Sequence, residues 1–452
     1  MADRVEMRTQ DPNVRKNNFS EVALGYNKEE ALLEASRCLQ CKGKPCVSGC
    51  PVNIDIPRFI LHLRSNDINE AAKTINEASL FGRICGRVCP QEHQCEAKCI
   101  RGIKGKSIAI GNLERYVCDN ASIEAPLPKR NNGKKVAIVG SGPSGLACAY
   151  DLAMAGCQVT IYESLHETGG VLRYGIPEFR LPKSIVQDEI NKLITLNVNI
   201  LTNKVIGKTI LIEELQAQYD AIYIASGAGL PKFMGIEGEN LKGVYSANEF
   251  LTRINLMKAY LNSSTPIIKP KKVCVVGGGN VAMDAARCAL RLNPEAVYIV
   301  YRRSEEEMPA RLEEVKHAKE EGIIFKLLTN PVRIIGNDDF NVKKIECVKM
   351  GLGDIDASGR RRPIEIEGSN FTIDVDTVIM ALGNNPNPII SASFPRILNE
   401  KHGCIVVNDE QKTSIEGIYA GGDIATGAAT VILAMGAGKN AAASILNYLK
   451  ID

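Results

Sequence analysis

The chain has 452 residues, 45% hydrophobic and 24% charged, which suffices for about three globular domains and excludes wholesale disorder. Its 55 basic and 52 acidic residues nearly balance, so charge gives no case for nucleic acid or a membrane surface as the main partner. The apolar stretch from Tyr419 to Leu446 is interrupted by Asp423, Lys439 and Asn440, so we expect no membrane insertion. The first residues lack the apolar core of a secretion signal, and we expect a cytoplasmic protein.

Residues 1–125 have helical patterns. Asn27 precedes one amphipathic stretch, and Asp67 precedes another, where Glu70 is placed to complete a capping box. Nine of the 15 cysteines lie in this region, from Cys38 to Cys118. Because thiols stay reduced in the cytosol, we interpret the clustered cysteines other than Cys118 as metal ligands. Cys118 and the six scattered cysteines are interpreted as packing residues.

The clustered cysteines form two runs, and each run contains a Cys-Pro pair, Cys50-Pro51 and Cys89-Pro90. A CxxC run that closes in Cys-Pro resembles the ferredoxin pattern of iron–sulfur ligands. Zinc is the competing metal, since four thiolates also suit it. Counting alone would assign four cysteines to each of two clusters, the eight candidates being Cys38, Cys41, Cys46, Cys50, Cys85, Cys89, Cys95 and Cys99.

A polar linker is expected over 126–133, and a β-strand, glycine turn and helix follow it. The turn carries Gly140, Gly142 and Gly145, a spacing that allows a tight turn, close approach of a pyrophosphate and close helix packing. A second strand ends at Glu163, whose carboxylate can accept both hydroxyls of a ribose and would repel a 2′-phosphate. This unit therefore suits FAD or NAD.

A second unit of the same kind begins near residue 273, with Gly277 and Gly279 in its turn. Its second strand ends at Arg302 and Arg303, where a cationic pair can bind the 2′-phosphate of NADP(H). The alternative is a solvated basic turn.

The segment Gly417–Ile424, followed by a helix near Ala429, resembles the FAD signature of disulfide-reductase-like flavoproteins, in which the aspartate binds the ribityl phosphate. Segments 221–228 and 377–383 resemble the points where the chain crosses between domains in that family. The resemblance implies an α/β fold with two Rossmann-like domains behind a helical iron–sulfur domain (1–125). The NADP(H) domain (251–384) would be inserted in the FAD domain (134–250 and 385–452). No CxxC lies in the flavin region, so we do not expect disulfide-reductase chemistry.

Four segments, 37–41, 50–52, 86–92 and 111–115, resemble the small (β) subunit family of NADPH-dependent glutamate synthase. The family includes the large subunit of NADH-dependent reduced ferredoxin:NADP oxidoreductase, sulfide dehydrogenase and the N-terminal half of dihydropyrimidine dehydrogenase. It implies an oxidoreductase that exchanges hydride with NADP(H) and single electrons with a partner subunit, through FAD and two 4Fe-4S clusters.

The same resemblance implies two ligand sets. One is Cys38, Cys41, Cys46 and Cys99; the other is Cys50, Cys89 and Cys95 with Glu114. Cys85 would be a buried neighbour, whereas counting makes Cys85 a ligand instead of Glu114. We expect Glu114 on a short helix where Gly111 permits close approach to a cluster. The alternative is a surface glutamate paired with Arg115 or another cation.

The glycine loops and the resemblance together imply the cofactor contacts, and no acid–base catalytic residue is required because positioning carries hydride transfer. The loop 169–177 would lie over the flavin ring, a plain surface loop being the alternative. FAD is expected to contact Gly140, Gly142, Pro143, Ser144, Gly145, Glu163, Gly170, Val171, Leu172, Tyr174, Gly175, Ala225, Gly227, Gly422, Asp423, Thr430 and Val431. NADP(H) is expected to contact Gly277, Gly279, Asn280, Val281, Ala282, Arg302, Arg303 and Gly383.

The partner is left open by the sequence. The chain has no length for the amidotransferase domain and FMN barrel of a large glutamate synthase subunit, and its second residue is Ala2, so we expect no glutamine chemistry by itself. A glutamate synthase-type partner, a bifurcating ferredoxin:NADP context and a pyrimidine-reducing context remain, in a hetero- or homo-oligomer.

Overall fold

The computed structural model describes residues 3–123, 127–261, 263–267, 269–357, 359–400 and 402–451. In the expected linker, Pro126 lies outside these ranges, and 127–133 contain neither helix nor strand. Within the described ranges, no helix combines the length and apolar character needed to cross a membrane.

The N-terminal region is helical, as predicted, and packs around its own apolar core of Phe59, Ile60, Ile75 and Leu113. Its α-helices are α1 (Pro12–Arg15), α2 (Lys28–Ser36), α3 (Pro45–Ser48), α4 (Ile56–Arg64), α5 (Ile68–Asn76), α6 (Gly82–Val88) and α7 (Ile110–Asn120), with short 3₁₀ helices at Gln91–His93 and Ile100–Ile103.

Capping explains where two of these helices begin. The Asn27 side chain accepts from the Glu30 N–H, and the Glu30 carboxylate accepts from the Asn27 N–H, a complete capping box at α2. Asp67 accepts from the Glu70 N–H at α5, but the Glu70 carboxylate binds the Lys73 ammonium at 2.5 Å. The capping box predicted at Asp67 is therefore wrong in its second half, because an i,i+3 cation competes for the acid.

The first glycine-turn unit belongs to a parallel sheet with strand order β16-β4-β1-β2-β3. The strands are β1 (Lys135–Val139), β2 (Gln158–Tyr162), β3 (Asn199–Leu201), β4 (Ala221–Ile224) and β16 (Ile418–Ala420). The helices of this domain are α8 (Pro143–Met154), α9 (Val171–Tyr174), α10 (Lys183–Thr195), α11 (Ile212–Gln216), α15 (Ile389–Ser393), α16 (Asp423–Thr426) and α17 (Val431–Leu449). The chain thus returns after the second unit to complete the first sheet.

The second unit forms another parallel sheet, of strand order β6-β14-β7-β8-β9. Its strands are β6 (Val244–Ser246), β7 (Lys272–Val276), β8 (Ala296–Val300), β9 (Ile324–Lys326) and β14 (Thr377–Met380). Its helices are α12 (Ala247–Leu251), a π-helix (Thr252–Leu256), α13 (Asn280–Leu290), a 3₁₀ helix (Glu305–Glu307) and α14 (Leu312–Glu320). β6 joins this sheet although it precedes residue 251, where we expect the NADP(H) domain to begin.

An antiparallel sheet is inserted between β9 and β14, and the sequence analysis made no prediction for it. It comprises β10 (Thr329–Gly336), β11 (Val342–Ile355), β12 (Arg361–Glu365) and β13 (Phe371–Asp374). The two crossings between the parallel sheets meet as a short antiparallel pair, β5 (Leu230–Pro231) with β15 (Asn384–Asn385).

Candidate functional site

The first glycine loop has the shape that a dinucleotide pyrophosphate requires. Gly140 has φ +107°, and a Cβ there would lie 2.5 Å from the Ala225 carbonyl oxygen. A Cβ at Gly145 would lie 2.0 Å from the Gly140 carbonyl oxygen, so only glycine lets α8 start this close to β1. Gly142 has open space around its Cβ position. Pro143 and Ser144 begin α8, whose free N–H groups suit a phosphate.

Glu163 lies beside this loop and is buried. One of its carboxylate oxygens accepts from the Ser141 N–H at 3.0 Å and the Ser141 hydroxyl at 2.5 Å. The other accepts from the Leu165 N–H at 2.7 Å and the Ser164 hydroxyl at 3.1 Å. Four donors fix the carboxylate at the end of β2, so it is oriented before any ribose arrives.

Two distant segments meet the glycine loop. A Cβ at Gly170 would lie 2.8 Å from the Cα of Gly142, and a Cβ at Gly422 would lie 2.9 Å from the Cβ of Ser144. Burial, together with the nearby carboxylates of Asp423 and Glu163, raises the pKa of Tyr174 to about 12. The loop over 169–177 and the Gly417–Ile424 segment therefore surround the same space.

The other residues expected to bind FAD lie around these segments. Ala225 follows β4 and donates its N–H to the Val139 carbonyl, and Gly227 continues that turn with φ +69°. Val171 and Leu172 lie in α9 and Gly175 follows it. Thr430 caps α17, its hydroxyl accepting from the Leu433 N–H at 3.4 Å, and Val431 is the first residue of that helix.

The second glycine loop repeats the geometry of the first. Gly277 has φ +145°, and a Cβ there would lie 2.4 Å from the Ala381 carbonyl oxygen. Gly279 precedes α13, which starts with Asn280, Val281 and Ala282. The Asn280 side chain accepts from the Arg311 N–H at 2.9 Å. Gly383, with φ +89°, follows the crossing from β14 and has open space around its Cβ position.

The two arginines after β8 differ. Arg303 is buried, its Nε donates to the Arg361 carbonyl at 2.7 Å, and it forms an ion pair with Asp356 at 2.5 Å. Arg302 is exposed, and none of the described residues forms a hydrogen bond or ion pair with its guanidinium. The guanidinium of Arg302 is therefore the freer of the two to pair with an anion.

Four of the expected iron ligands surround one cavity. Cys38, Cys41, Cys46 and Cys99 line this cavity, which is otherwise lined mainly by apolar side chains such as Ile56, Ile60 and Ile108. Burial raises the pKa of the Cys46 thiol to about 11. This donor set, brought together from α3 and two loops, fits a cluster held by thiolates.

The remaining candidates form a second group. Burial, together with the smaller effects of Glu114 and Cys89, raises the pKa of the Cys50 thiol to about 11. The hydrogen bond to Cys89 and burial raise the pKa of Cys85, and burial raises that of Cys95. The thiols of Cys50, Cys85, Cys89 and Cys95 and the carboxylate of Glu114 are therefore close enough to influence one another's charge.

Glu114 is buried on α7, so the alternative of a surface glutamate paired with Arg115 is wrong. Burial raises the pKa of Glu114 to about 8, and its Oε1 has no hydrogen-bond partner among the described residues. An orphaned carboxylate oxygen beside thiols fits a metal ligand whose metal supplies the missing partner. Gly111 makes room for the Gln91 amide, which would lie 2.2 Å from its Cβ, rather than for a cluster.

In the described part of the chain, no three His, Cys, Asp or Glu side chains are arranged to hold a single metal ion. The cysteines outside the N-terminal region, Cys148, Cys157, Cys274, Cys288, Cys347 and Cys404, are buried. They occupy apolar packing positions, as expected.

Sequence reasoning missed three polar residues that hold the loop 169–177 and the residues after it. Asn255 donates to the carbonyls of Tyr174 and Gly175, Arg180 binds Asp284, and Lys183 donates to the carbonyls of Ile176 and Leu181. Burial lowers the pKa of Lys183 to about 7. No spacing pattern in the sequence marks them.

Two family models match the chain. Residues 134–438 match the pyridine nucleotide-disulphide oxidoreductases, and residues 15–125 match "dihydropyrimidine dehydrogenase domain II, 4Fe-4S cluster". Among solved structures, FprA from Mycobacterium tuberculosis in complex with NADPH is similar in fold, with a TM-score of 0.60 and 21% identity over 70% of this chain and 85% of that one. The predicted arrangement of two dinucleotide-binding domains behind an iron–sulfur domain is confirmed.

Curated relatives align over nearly the whole chain. The Escherichia coli NADPH glutamate synthase small chain is 34% identical over 97% of this chain and 95% of its own length. The β subunit of the Moorella thermoacetica NADP(+)-dependent formate dehydrogenase is 38% identical over 90% of this chain, but the match spans only 60% of that subunit. The resemblance to the glutamate synthase small-subunit family is confirmed.

Proposed function

We propose a function from the family, since the chain belongs to the pyridine nucleotide-disulphide oxidoreductases and, among them, to the family of the NADPH glutamate synthase small chain. The chain is an NADP(H)-linked FAD and iron–sulfur oxidoreductase subunit. It would exchange hydride with NADP(H) and single electrons with a partner subunit. When bound, FAD would accept a hydride and return its electrons one at a time, and iron–sulfur clusters would carry them onward.

The observation that carries this proposal is the packing of the second ligand group on the flavin domain. Cys85 and Cys89 belong to the same apolar core as Leu146 of α8 and Ile432 of α17. A Cβ at Gly436 of α17 would lie 3.4 Å from the Pro51 carbonyl oxygen, next to Cys50. The helix that starts at the flavin signature thus touches the cysteine segment directly.

Each set of residues has a separate task in this proposal. The turn at Gly140–Gly145 and the start of α8 would bind the FAD pyrophosphate, Glu163 its ribose and Asp423 its ribityl phosphate. The loop at Gly277 and Arg302 would bind and orient NADP(H). The first cysteine set would hold one 4Fe-4S cluster. The second group would hold another, with Glu114 or Cys85 as its fourth ligand.

Composition of the anaerobically purified chain tests the proposal. We expect about eight irons and about one FAD per chain, and bleaching of the flavin absorbance by NADPH. About four irons, or stoichiometric zinc, would contradict the two-cluster assignment.

The partner is identified by the polypeptide that copurifies without oxygen. We propose a glutamate synthase large-type or other electron-transfer subunit, because the relatives above are named as small or β subunits. A large amidotransferase–FMN subunit selects the glutamate synthase role, and a small FAD subunit with a 2Fe-2S cluster selects the bifurcating role.

A further inference from the structure

The segment Tyr174–Lys183, here called the bridging segment, runs from the loop over the flavin space to the NADP(H) domain. At its start, the Asn255 Nδ2 donates to the Tyr174 carbonyl at 3.1 Å and to the Gly175 carbonyl at 3.2 Å. Asn255 is buried and lies in the π-helix Thr252–Leu256, a rare geometry that is frequent at functional sites. Its Oδ1 has no hydrogen-bond partner among the described residues.

The end of the bridging segment is fixed to the helix that begins at the second glycine loop. The Arg180 NH1 donates to both carboxylate oxygens of Asp284, each at 2.8 Å, and its Nε lies 3.0 Å from Glu314. Asp284 lies on α13, one turn after Asn280. Both side chains of this pair are about nineteen-twentieths buried, at 6% and 5% exposed. A buried pair with this geometry is short and directional.

The middle of the segment has little freedom. The Phe179 ring lies against the guanidinium groups of Arg287 and Arg291, at 4.6 and 3.9 Å from its centroid. The Phe179 backbone carbonyl accepts a hydrogen bond from the Val22 N–H at 2.9 Å. Side chains on α13 and at its end therefore hold the bridging segment at Phe179 and Arg180.

We propose that Asn255, Arg180 and Asp284 are positioning residues that couple occupancy of the NADP(H) loop to the loop over the flavin. The inference rests on the proposed function. A pyrophosphate bound at the start of α13 orders that helix, Asp284 holds Arg180, and the bridging segment then sets the flavin-facing loop for hydride transfer.

Hydrogen exchange measured by mass spectrometry tests the coupling without turnover. We expect NADP⁺ to slow exchange in the peptide 170–182 of the FAD-loaded wild type, and Asn255→Ala and Arg180→Gln to abolish most of that change. Arg333→Gln is the matched control, because it breaks an exposed pair with Glu346. In single turnovers with NADPH, the two variants should reduce flavin about tenfold more slowly, while the NADP⁺ Kd changes less than about threefold.

Variants that show the wild-type peptide response and the wild-type rate would overturn the inference. If either variant does not fold, Asp284→Asn decides by the same two measurements, because it keeps the size of the side chain and removes the charge that holds Arg180. A wild type that binds no flavin or accepts no hydride from NADPH would instead defeat the proposed function, so the two failures are distinguishable.

Discussion

Arg302 and Arg303 show how adjacent residues of one type acquire different tasks. The guanidinium of Arg303 is already engaged by Asp356 and the Arg361 carbonyl, whereas Arg302 is exposed. We expect Arg302→Gln to weaken NADPH binding by about 1.5–3 kcal/mol, the value of a charged hydrogen bond, and to leave NADH binding unchanged. Kd values for both nucleotides, measured by titration, check this.

Arg303→Gln is the comparison variant for this prediction. Because Arg303 holds the loop rather than facing solvent, its loss should weaken both nucleotides to a similar extent. An equal loss of NADPH and NADH binding in Arg302→Gln would show that Arg302 does not bind the 2′-phosphate.

Glu114 and Cys85 compete for the same role in the second ligand group. If Glu114 is the ligand, Glu114→Ala should change the paramagnetic resonance signal or potential of one cluster only, because a carboxylate is a harder ligand than a thiolate. Cys85→Ser should leave both clusters assembled. Iron analysis and resonance spectra of the two variants, compared with Cys148→Ser in the flavin domain, check this.

The reverse result has a clear meaning. If Cys85→Ser removes one cluster while Glu114→Ala leaves both signals untouched, Cys85 completes the site. The raised pKa of Glu114 would then reflect burial alone.

Lys183 introduces a pH dependence of stability. Its pKa is lowered to about 7 by burial, so above pH 7 the unfolded chain binds more protons at this residue than the folded chain does. The charged form of Lys183 destabilises the folded chain fully below pH 7. This destabilisation is relieved as the pH rises from 7 toward the pKa of lysine in the unfolded chain. Relative to Lys183→Met, the wild type should gain stability between pH 7 and pH 9, by about 1–3 kcal/mol.

Thermal unfolding of the wild type and Lys183→Met at the two pH values measures this difference. Lys192→Met is the control, since that ammonium is partly exposed on the same helix, α10. If the difference in stability between the wild type and Lys183→Met is the same at both pH values, Lys183 remains protonated in the folded chain.

At the scale of elements, the packing of α17 on α8 depends on one glycine. A Cβ at Gly438 would lie 2.1 Å from the Ser144 carbonyl oxygen, in the first turn of the helix proposed to bind the FAD pyrophosphate. We expect Gly438→Ala to destabilise the flavin domain by about 1–3 kcal/mol through overpacking and to speed FAD release. The unfolding midpoint and the FAD dissociation rate measure both effects.

Gly436 is the matched control, two residues earlier on the same helix. Its Cβ would meet nothing closer than 3.4 Å, so Gly436→Ala should be neutral or stabilise by up to about 1 kcal/mol through helix propensity. If both substitutions have the same effect, the close approach at Ser144 does not limit the packing.

Elements with a strong local signal could be predicted from the sequence, and those without one could not. The two glycine turns were predictable because only glycine tolerates the φ of Gly140 and Gly277. The three-residue strand β6 and the π-helix at Thr252–Leu256 were not, since neither has a periodic pattern of its own and tertiary packing determines both.

The whole molecule is joined by contacts that no local pattern encodes. Residues 3–9 pack on the helical domain, where Arg4 pairs with Glu96 at 2.7 Å. Residues 10–22, here called the crossing segment, contact the NADP(H) domain, and the chain then returns to the helical domain at Tyr26. Arg15 and Glu321 are separated by 306 positions, so their pairing could not be read from spacing. The cysteine sets could be proposed in advance only through the family resemblance.

Arg15 provides the last test, because it joins two domains from a position with no solvent exposure. Its Nε donates to Glu321 at 3.0 Å, its NH2 to Glu320 at 2.6 Å, and its NH1 to the Gln10 carbonyl at 3.1 Å. Glu321 keeps Arg287 and Arg291 when Arg15 is removed, so the remaining carboxylate is not left unpaired. We therefore expect Arg15→Ala to lower the free energy of unfolding by about 2–3 kcal/mol, which is less than the usual loss when a buried ion pair is broken.

The loss should appear first where the crossing segment is held. Arg15→Ala should lower the unfolding midpoint by several degrees and make residues 10–22 accessible to protease. Lys16→Ala is the control and should do neither, because the Lys16 ammonium binds only Asn13 among the described side chains. Because α14 carries Glu320 and Glu314, loosening the crossing segment should also weaken the hold of that helix on Arg180. An Arg15→Ala variant with wild-type midpoint and protease resistance would show that the apolar contacts of Phe19 and Val22 hold the crossing segment without the ion pairs.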